Sequence, residues 1–178
     1  MDSHPVEIEM GLSATEILDV IRRSDRCYQA VRGYVAERHL EKLLEQLKQS
    51  GTIEDFVFID RDGQPDFRVT LDGRTKTIEC KNVMSKMRYA NGDFKVDFQR
   101  TRNQLGSNAQ SGRYYKATDF DILAASMHNE VGQWKFNFVR TSDLPSVTIS
   151  GVRCLVKAVR VPSSAAGTTW TEDLLSLL

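Results

Sequence analysis

The run Phe67-Arg68-Val69-Thr70-Leu71, Asp72-Gly73, Arg74-Thr75-Lys76-Thr77-Ile78 constrains this chain more than any other segment. An Asp-Gly pair between alternating residues marks two antiparallel strands joined by a two-residue turn. Pro65-Asp66 stands just before the first strand, and Glu79-Cys80-Lys81 just after Ile78 on the second. Pairing through the turn therefore brings Asp66, Glu79 and Lys81 to the same end of the two strands. Within Thr77–Lys81 the side chains alternate, so Glu79 and Lys81 share one face. Ile78 and Cys80 point the other way, as a buried face requires.

Acid-x-Lys alone carries almost no information. With 24 acidic residues and 9 lysines in 178, chance supplies about one match. A second copy, Asp93-Phe94-Lys95, follows Asn91-Gly92 and is expected beside a solvated loop. Its spacing lacks a Pro-Asp partner across a paired strand. The Glu79 copy has the turn, the partner and the alternation together.

Pro-Asp, twelve residues, then Glu-x-Lys resembles the PD-(D/E)xK nuclease superfamily, the restriction-endonuclease-like group. The resemblance covers roughly residues 30 to 140. It implies an α/β fold with a mixed central β-sheet flanked by helices. It also implies a deoxyribonuclease that needs Mg2+, with Mn2+ as a substitute, and DNA as its partner. Asp66 and Glu79 become metal ligands, joined by the carbonyl of Cys80. Lys81 becomes the residue that positions water and stabilises negative charge. Many members of the superfamily add a helix-borne acid before the core strands, and Glu37 occupies that place. An ordinary solvated helix glutamate is its alternative.

The plain readings stand beside these. Asp66 after Pro65 can simply initiate a turn. Glu79 and Lys81 can be an ion pair on a solvated sheet face.

Net charge is formally zero, so no global polycation announces nucleic acid. Its distribution is uneven. Between Lys81 and Thr118 lie eight basic residues against Asp93 and Asp97. Arg88, Gln99, Arg100, Arg102, Arg113 and Lys116 are the candidate DNA contacts, more for phosphates than for bases. A solvated basic face is the bland reading of such a run.

The chain is read as a single nuclease domain over 1–178, with its core in 28–140. Ser13 and Glu16 form a capping-box signature for a short helix to about Arg23. A longer helix is expected from near Tyr28 to Gln49, with Ala36, Leu40, Leu43, Leu44 and Leu47 as its apolar stripe. Phe56–Ile59 reads as a buried strand. Met87–Phe98 reads as a second hairpin about Asn91-Gly92. Phe120–Ala125 and Trp134–Val139 read as paired core strands, and Val152–Val159 as one further strand. Residues 162–167 read as a linker to a C-terminal helix, Trp170–Leu178.

Three widely spaced cysteines fit no disulfide framework and no zinc pattern, which points to a cytoplasmic setting. No apolar run is long enough to span a membrane. His4, His39 and His128 form no sequential metal motif, and no phosphate-cradling glycine loop exists.

The function this supports is a magnesium-dependent DNA endonuclease, with restriction preferred. Repair or junction-resolving nucleases of the same fold are the neighbouring alternative. A DNA-binding module that does not cleave is the alternative of another class. Cutting both strands is compatible with a homodimer. Leu178 falls inside a helical pattern, which leaves room for further domains of a longer protein.

Overall fold

The computed structural model describes residues 3–85, 88–98 and 114–178. The chain divides into two compact units, Met1–Val35 and Ala36–Leu178.

In the first unit, α1 (Pro5–Met10) is capped by His4 and α2 (Ala14–Arg23) by Ser13. The Ser13 signature is realised: Glu16 Oε2 accepts the Ser13 amide at 2.9 Å, and the Glu16 amide donates back to Ser13 Oγ at 3.3 Å. Each bond satisfies a donor that a helix start leaves without an intrahelical partner.

Helix α3 (Asp25–Gln49) crosses the division. Its buried residues are Ala36, Leu40 and Leu44, with Leu43 and Leu47 half-buried beside them. It stops at Gly51, whose φ of 73° few other residues adopt easily.

The second unit is built on a mixed five-stranded sheet in the order β1-β2-β3-β5-β6. The strands are β1 (Asp55–Phe58), β2 (Phe67–Leu71), β3 (Arg74–Asn82), β5 (Ile122–Ser126) and β6 (Phe136–Arg140). Only β3 and β5 run parallel among these neighbours. Asp72 and Gly73 both take positive φ, 49° and 68°, so the β2–β3 hairpin closes as its sequence demands.

Both faces of the sheet are covered, and the sequence alternation sorts residues between them. Phe67, Val69, Ile78, Cys80, Ile122 and Ala124 pack with Leu40 and Leu44 of α3. Leu123, Ala125 and Val139 pack on the other face against Val83, Phe94, Val96 and Phe98. Burial of one such Phe, Val, Leu or Ile side chain stabilises the fold by about 1.5–3 kcal/mol.

Several expectations are corrected. Phe56–Ile59 is not a buried strand; β1 is an edge, and Val57 is 49% exposed. The expected Met87–Phe98 hairpin begins outside the described residues, and 88–98 do not form a local strand pair. The Asn91-Gly92 turn exists, but β4 (Phe94–Asp97) pairs antiparallel with the distant β9 (Ala158–Val161). Residues 152–159 are not one strand. β8 (Val152–Leu155) pairs with β7 (Ser146–Ile149), and β9 leaves for another sheet. The C-terminal helix shrinks to a 3-10 turn, Leu174–Leu177, whose leucines enter the α3-facing core. Asp93 is not solvated: it accepts the amide of Ser163 at 3.0 Å and the side chain of Asn91 at 2.7 Å.

A short helix, α4 (His128–Val131), follows β5. The Trp134 ring is stacked between His39 at 4.3 Å and His128 at 3.9 Å. No described helix is long and apolar enough to cross a membrane.

Candidate active site

Strand register decides the site. Phe67 pairs with Ile78, so Asp66 arrives beside Glu79 and Cys80 where β2 begins. Asp66 Oδ2 accepts the Cys80 amide at 2.7 Å. That bond fixes the carboxylate across the end of the hairpin.

Glu79 and Lys81 lie on the same face of β3 and form a direct ion pair. Glu79 is only 3% exposed. The hydroxyl of Tyr115 donates to Glu79 Oε1 at 2.7 Å. Tyr115 in turn meets Phe98 and Phe120 edge-on at 5.5 and 5.9 Å. The Lys81 ammonium stands 5.5 Å from the centre of the Tyr115 ring. The solvated-face reading fails for Glu79, which is buried against Tyr115, while Lys81 is half-buried beside it.

The electrostatics follow from that burial. Burial pushes the Asp66 carboxyl up to about 7, and the Glu79 charge pushes the same way. Lys81 and the Cys80 amide only partly offset this. Burial also raises Glu37, helped by the charges of Glu79 and Asp60 and opposed by Lys81. Glu37 on α3 is thus within electrostatic reach of the cluster. Burial pulls the Lys81 ammonium down, but the charges of Glu79, Tyr115 and Asp66 outweigh it and hold the ammonium protonated. Tyr115 is pushed up to about 12, first by burial and then, against the pull of Lys81, by Glu79. The Cys80 thiol is raised far above its usual range by burial, so it is no thiolate ligand.

Among the described residues, no three His, Cys, Asp or Glu side chains stand close enough to form a metal cage. The charges of Glu79 and Glu37 both act on Asp66.

The basic candidates separate. Arg88 is tied to Glu130 through Nε at 3.0 Å and Nη2 at 2.6 Å, and lies over the Phe94 ring. Lys116 is exposed and bridges to Cys154 through the backbone. Gln99, Arg100, Arg102 and Arg113 lie outside the described residues. A cleft of about 610 Å³ opens at the Lys76 end of β3, lined by Asp121, Arg140 and Arg153 among others. It touches none of Glu37, Asp66, Glu79 or Lys81.

The fold has a solved counterpart. It resembles the structure of a bacterial homing endonuclease, I-Ssp6803I, with a TM-score of 0.50. The match covers 78% of this chain and 81% of that one, at 16% sequence identity. At that identity the likeness concerns the fold. No family model matches the chain, and no curated protein matches it.

Tyr115 joins this cluster without being among the candidate residues named from the sequence. Its only local signal is a Tyr-Tyr pair a few residues before a core strand. Nothing in that pair points back to residue 79.

Proposed function

We propose that this chain is a metal-dependent DNA endonuclease whose centre is Asp66, Glu79 and Lys81. The observation that carries the reading is the meeting of two carboxylates and a protonated lysine at one end of the β2–β3 hairpin, with Asp66 raised to about 7. A buried Asp66 carboxyl pushed up by burial and by the neighbouring Glu79 charge marks a site short of positive charge. The PD-(D/E)xK spacing and the likeness to a homing endonuclease agree with that chemistry.

Magnesium fits the donor set. It takes oxygen ligands and is commonly held by one or two carboxylates, with water and substrate phosphate completing its shell. Asp66 and Glu79 would hold it. A strand residue directs its N–H and C=O to the same side, so the Cys80 carbonyl leaves β3 on the Asp66 side and can supply a third oxygen. Manganese accepts the same ligands. The bound ion would polarise the scissile phosphate and lower the pKa of the attacking water.

The chain's own groups supply the rest. Lys81 is a cation beside the reacting phosphate, where it orients water and stabilises developing negative charge. Against burial, the charges of Glu79, Tyr115 and Asp66 favour its ammonium form, which suits a cation rather than a general base. Tyr115 and Lys81 both hold Glu79 through Oε1. Glu37 is placed to add charge or a water contact to the cluster.

Restriction is the preferred setting, given the basic segment after the site. A homing-type role is the second reading, favoured by the structural neighbour. Phage DNA incubated with magnesium separates them. A restriction enzyme yields many discrete fragments. An enzyme reading one long sequence leaves most such DNA whole and cuts only DNA that carries its site. No cleavage of phage, plasmid or source genomic DNA, with either magnesium or manganese, would contradict both.

A further inference from the structure

The β4–β9 ribbon is anchored on one face and charged on the other. Phe94, Val96, Val159 and Val161 are all 5% exposed or less and enter the core beside β5. Alternation then turns Lys95, Asp97, Ala158 and Arg160 outward. Lys95 and Arg160 are direct cross-strand partners. Like charges directly opposite each other destabilise a strand pair, a repulsion that Asp93, 3.8 Å from Arg160 Nε, partly offsets.

The neighbourhood is basic and aromatic. The Arg160 guanidinium lies 4.4 Å from the centre of the Tyr89 ring and 3.8 Å from Asp93. Lys157, exposed just before β9, lies 4.9 Å from the centre of the Tyr114 ring. Asp97 is the acidic member of the outer face. The ribbon also adjoins the candidate centre. The Met84 amide, three residues past Lys81, donates to the Lys95 carbonyl at 2.7 Å.

We propose that the outer face of the β4–β9 ribbon docks duplex DNA, lying along the major groove with Lys95, Lys157 and Arg160 neutralising phosphates. The choice of DNA as occupant rests on the endonuclease reading. Charge complementarity supports it, because a polyanion removes the repulsion between Lys95 and Arg160. Size supports it too. Two strands lie about 4.8 Å apart, and a groove about 12 Å wide accepts a two-stranded ribbon. Lys95 belongs to the basic segment read from the sequence, but Lys157 and Arg160 lie outside it, because the pairing of β4 with β9 is invisible there.

The test is binding of a labelled mixed-sequence duplex, titrated between about 50 and 200 mM salt. Affinity falls with salt by about 0.9 per phosphate neutralised on a double logarithmic plot. Lys95→Ala with Arg160→Ala is expected to make that slope shallower by about 1.8. Lys95→Arg with Arg160→Lys is expected to keep it. Lys157→Ala, outside the strands, is expected to remove about 0.9, and it decides the matter if the double variant fails to fold. Alanine variants with wild-type slopes, or a wild type that does not bind duplex, would overturn the proposal. Docking and cleavage fail separately. A wild type that docks with these slopes yet never cuts removes the endonuclease reading only. A wild type that cuts while the alanine variants bind unchanged removes the docking face only.

Discussion

Tyr115 donates its hydroxyl to Glu79 Oε1 at 2.7 Å. The bond joins a loop residue to the motif strand across 36 positions of sequence. It orients one oxygen of Glu79 while Lys81 balances its charge. Partners that orient a ligand in this way commonly change metal affinity or activity by about 10–100-fold when removed.

Tyr115→Phe keeps the ring and its contacts with Phe98 and Phe120 but deletes the donor. The half-saturating magnesium concentration for cleavage should rise about tenfold, with the melting temperature nearly unchanged. A magnesium titration equal to wild type would remove Tyr115 from the site.

Lys81→Ala leaves Glu79 buried without its cation. Breaking a fully buried pair costs about 3–5 kcal/mol. Lys81 retains 27% side-chain exposure, and the Tyr115 bond remains, so a loss of up to about 3 kcal/mol is expected here. Magnesium should restore part of it, because the ion replaces the missing charge. Denaturant titrations with and without magnesium check both statements.

The pH dependence of the metal-free protein has a definite sign. The folded Asp66 takes up its proton at about 7, above the ordinary carboxylate value of 3.8. Folding is therefore favoured while the group is protonated. That contribution is full below about pH 4 and is lost as pH rises through about 7. In chelator, the melting temperature should fall over this window, and Asp66→Asn should flatten the fall. Melts at stepped pH values, with each variant, provide the check. A fall as steep in Asp66→Asn as in wild type would reject the assignment.

The hairpin turn sets the register that brings Asp66 to Glu79. Gly73 has φ of 68° with open space around its α-carbon. Gly73→Ala should cost about 1 kcal/mol through backbone conformation alone. Cleavage at saturating magnesium should be retained, and a denaturant midpoint with a plasmid assay measures both.

Local signals were readable where a local rule governs. The Asp72-Gly73 turn, the Ser13 cap and the alternation through Glu79, Cys80 and Lys81 each follow from neighbours in sequence. From them come the hairpin, the face shared by Glu79 and Lys81 and the buried face of Ile78. What the sequence hid depends on distant pairing. β4 has the pattern of a hairpin arm, yet its partner is β9, and in that pairing Phe94 and Val96 are buried in the core. Phe56 and Val57 have the composition of a buried strand, but β1 lies at the sheet edge. Tyr115 acquires its role from Glu79, and His39 and His128 acquire theirs from Trp134. No spacing rule links those residues.

Supercoiled plasmid carrying a cleavable sequence gives the most direct test of the central claim. Wild type should nick and linearise it with magnesium and not in chelator. Asp66→Asn, Glu79→Gln and Lys81→Met should each lose at least a hundredfold in rate while remaining folded by circular dichroism. Cleavage that persists in chelator, or that survives all three substitutions, would contradict a metal-dependent centre at this hairpin.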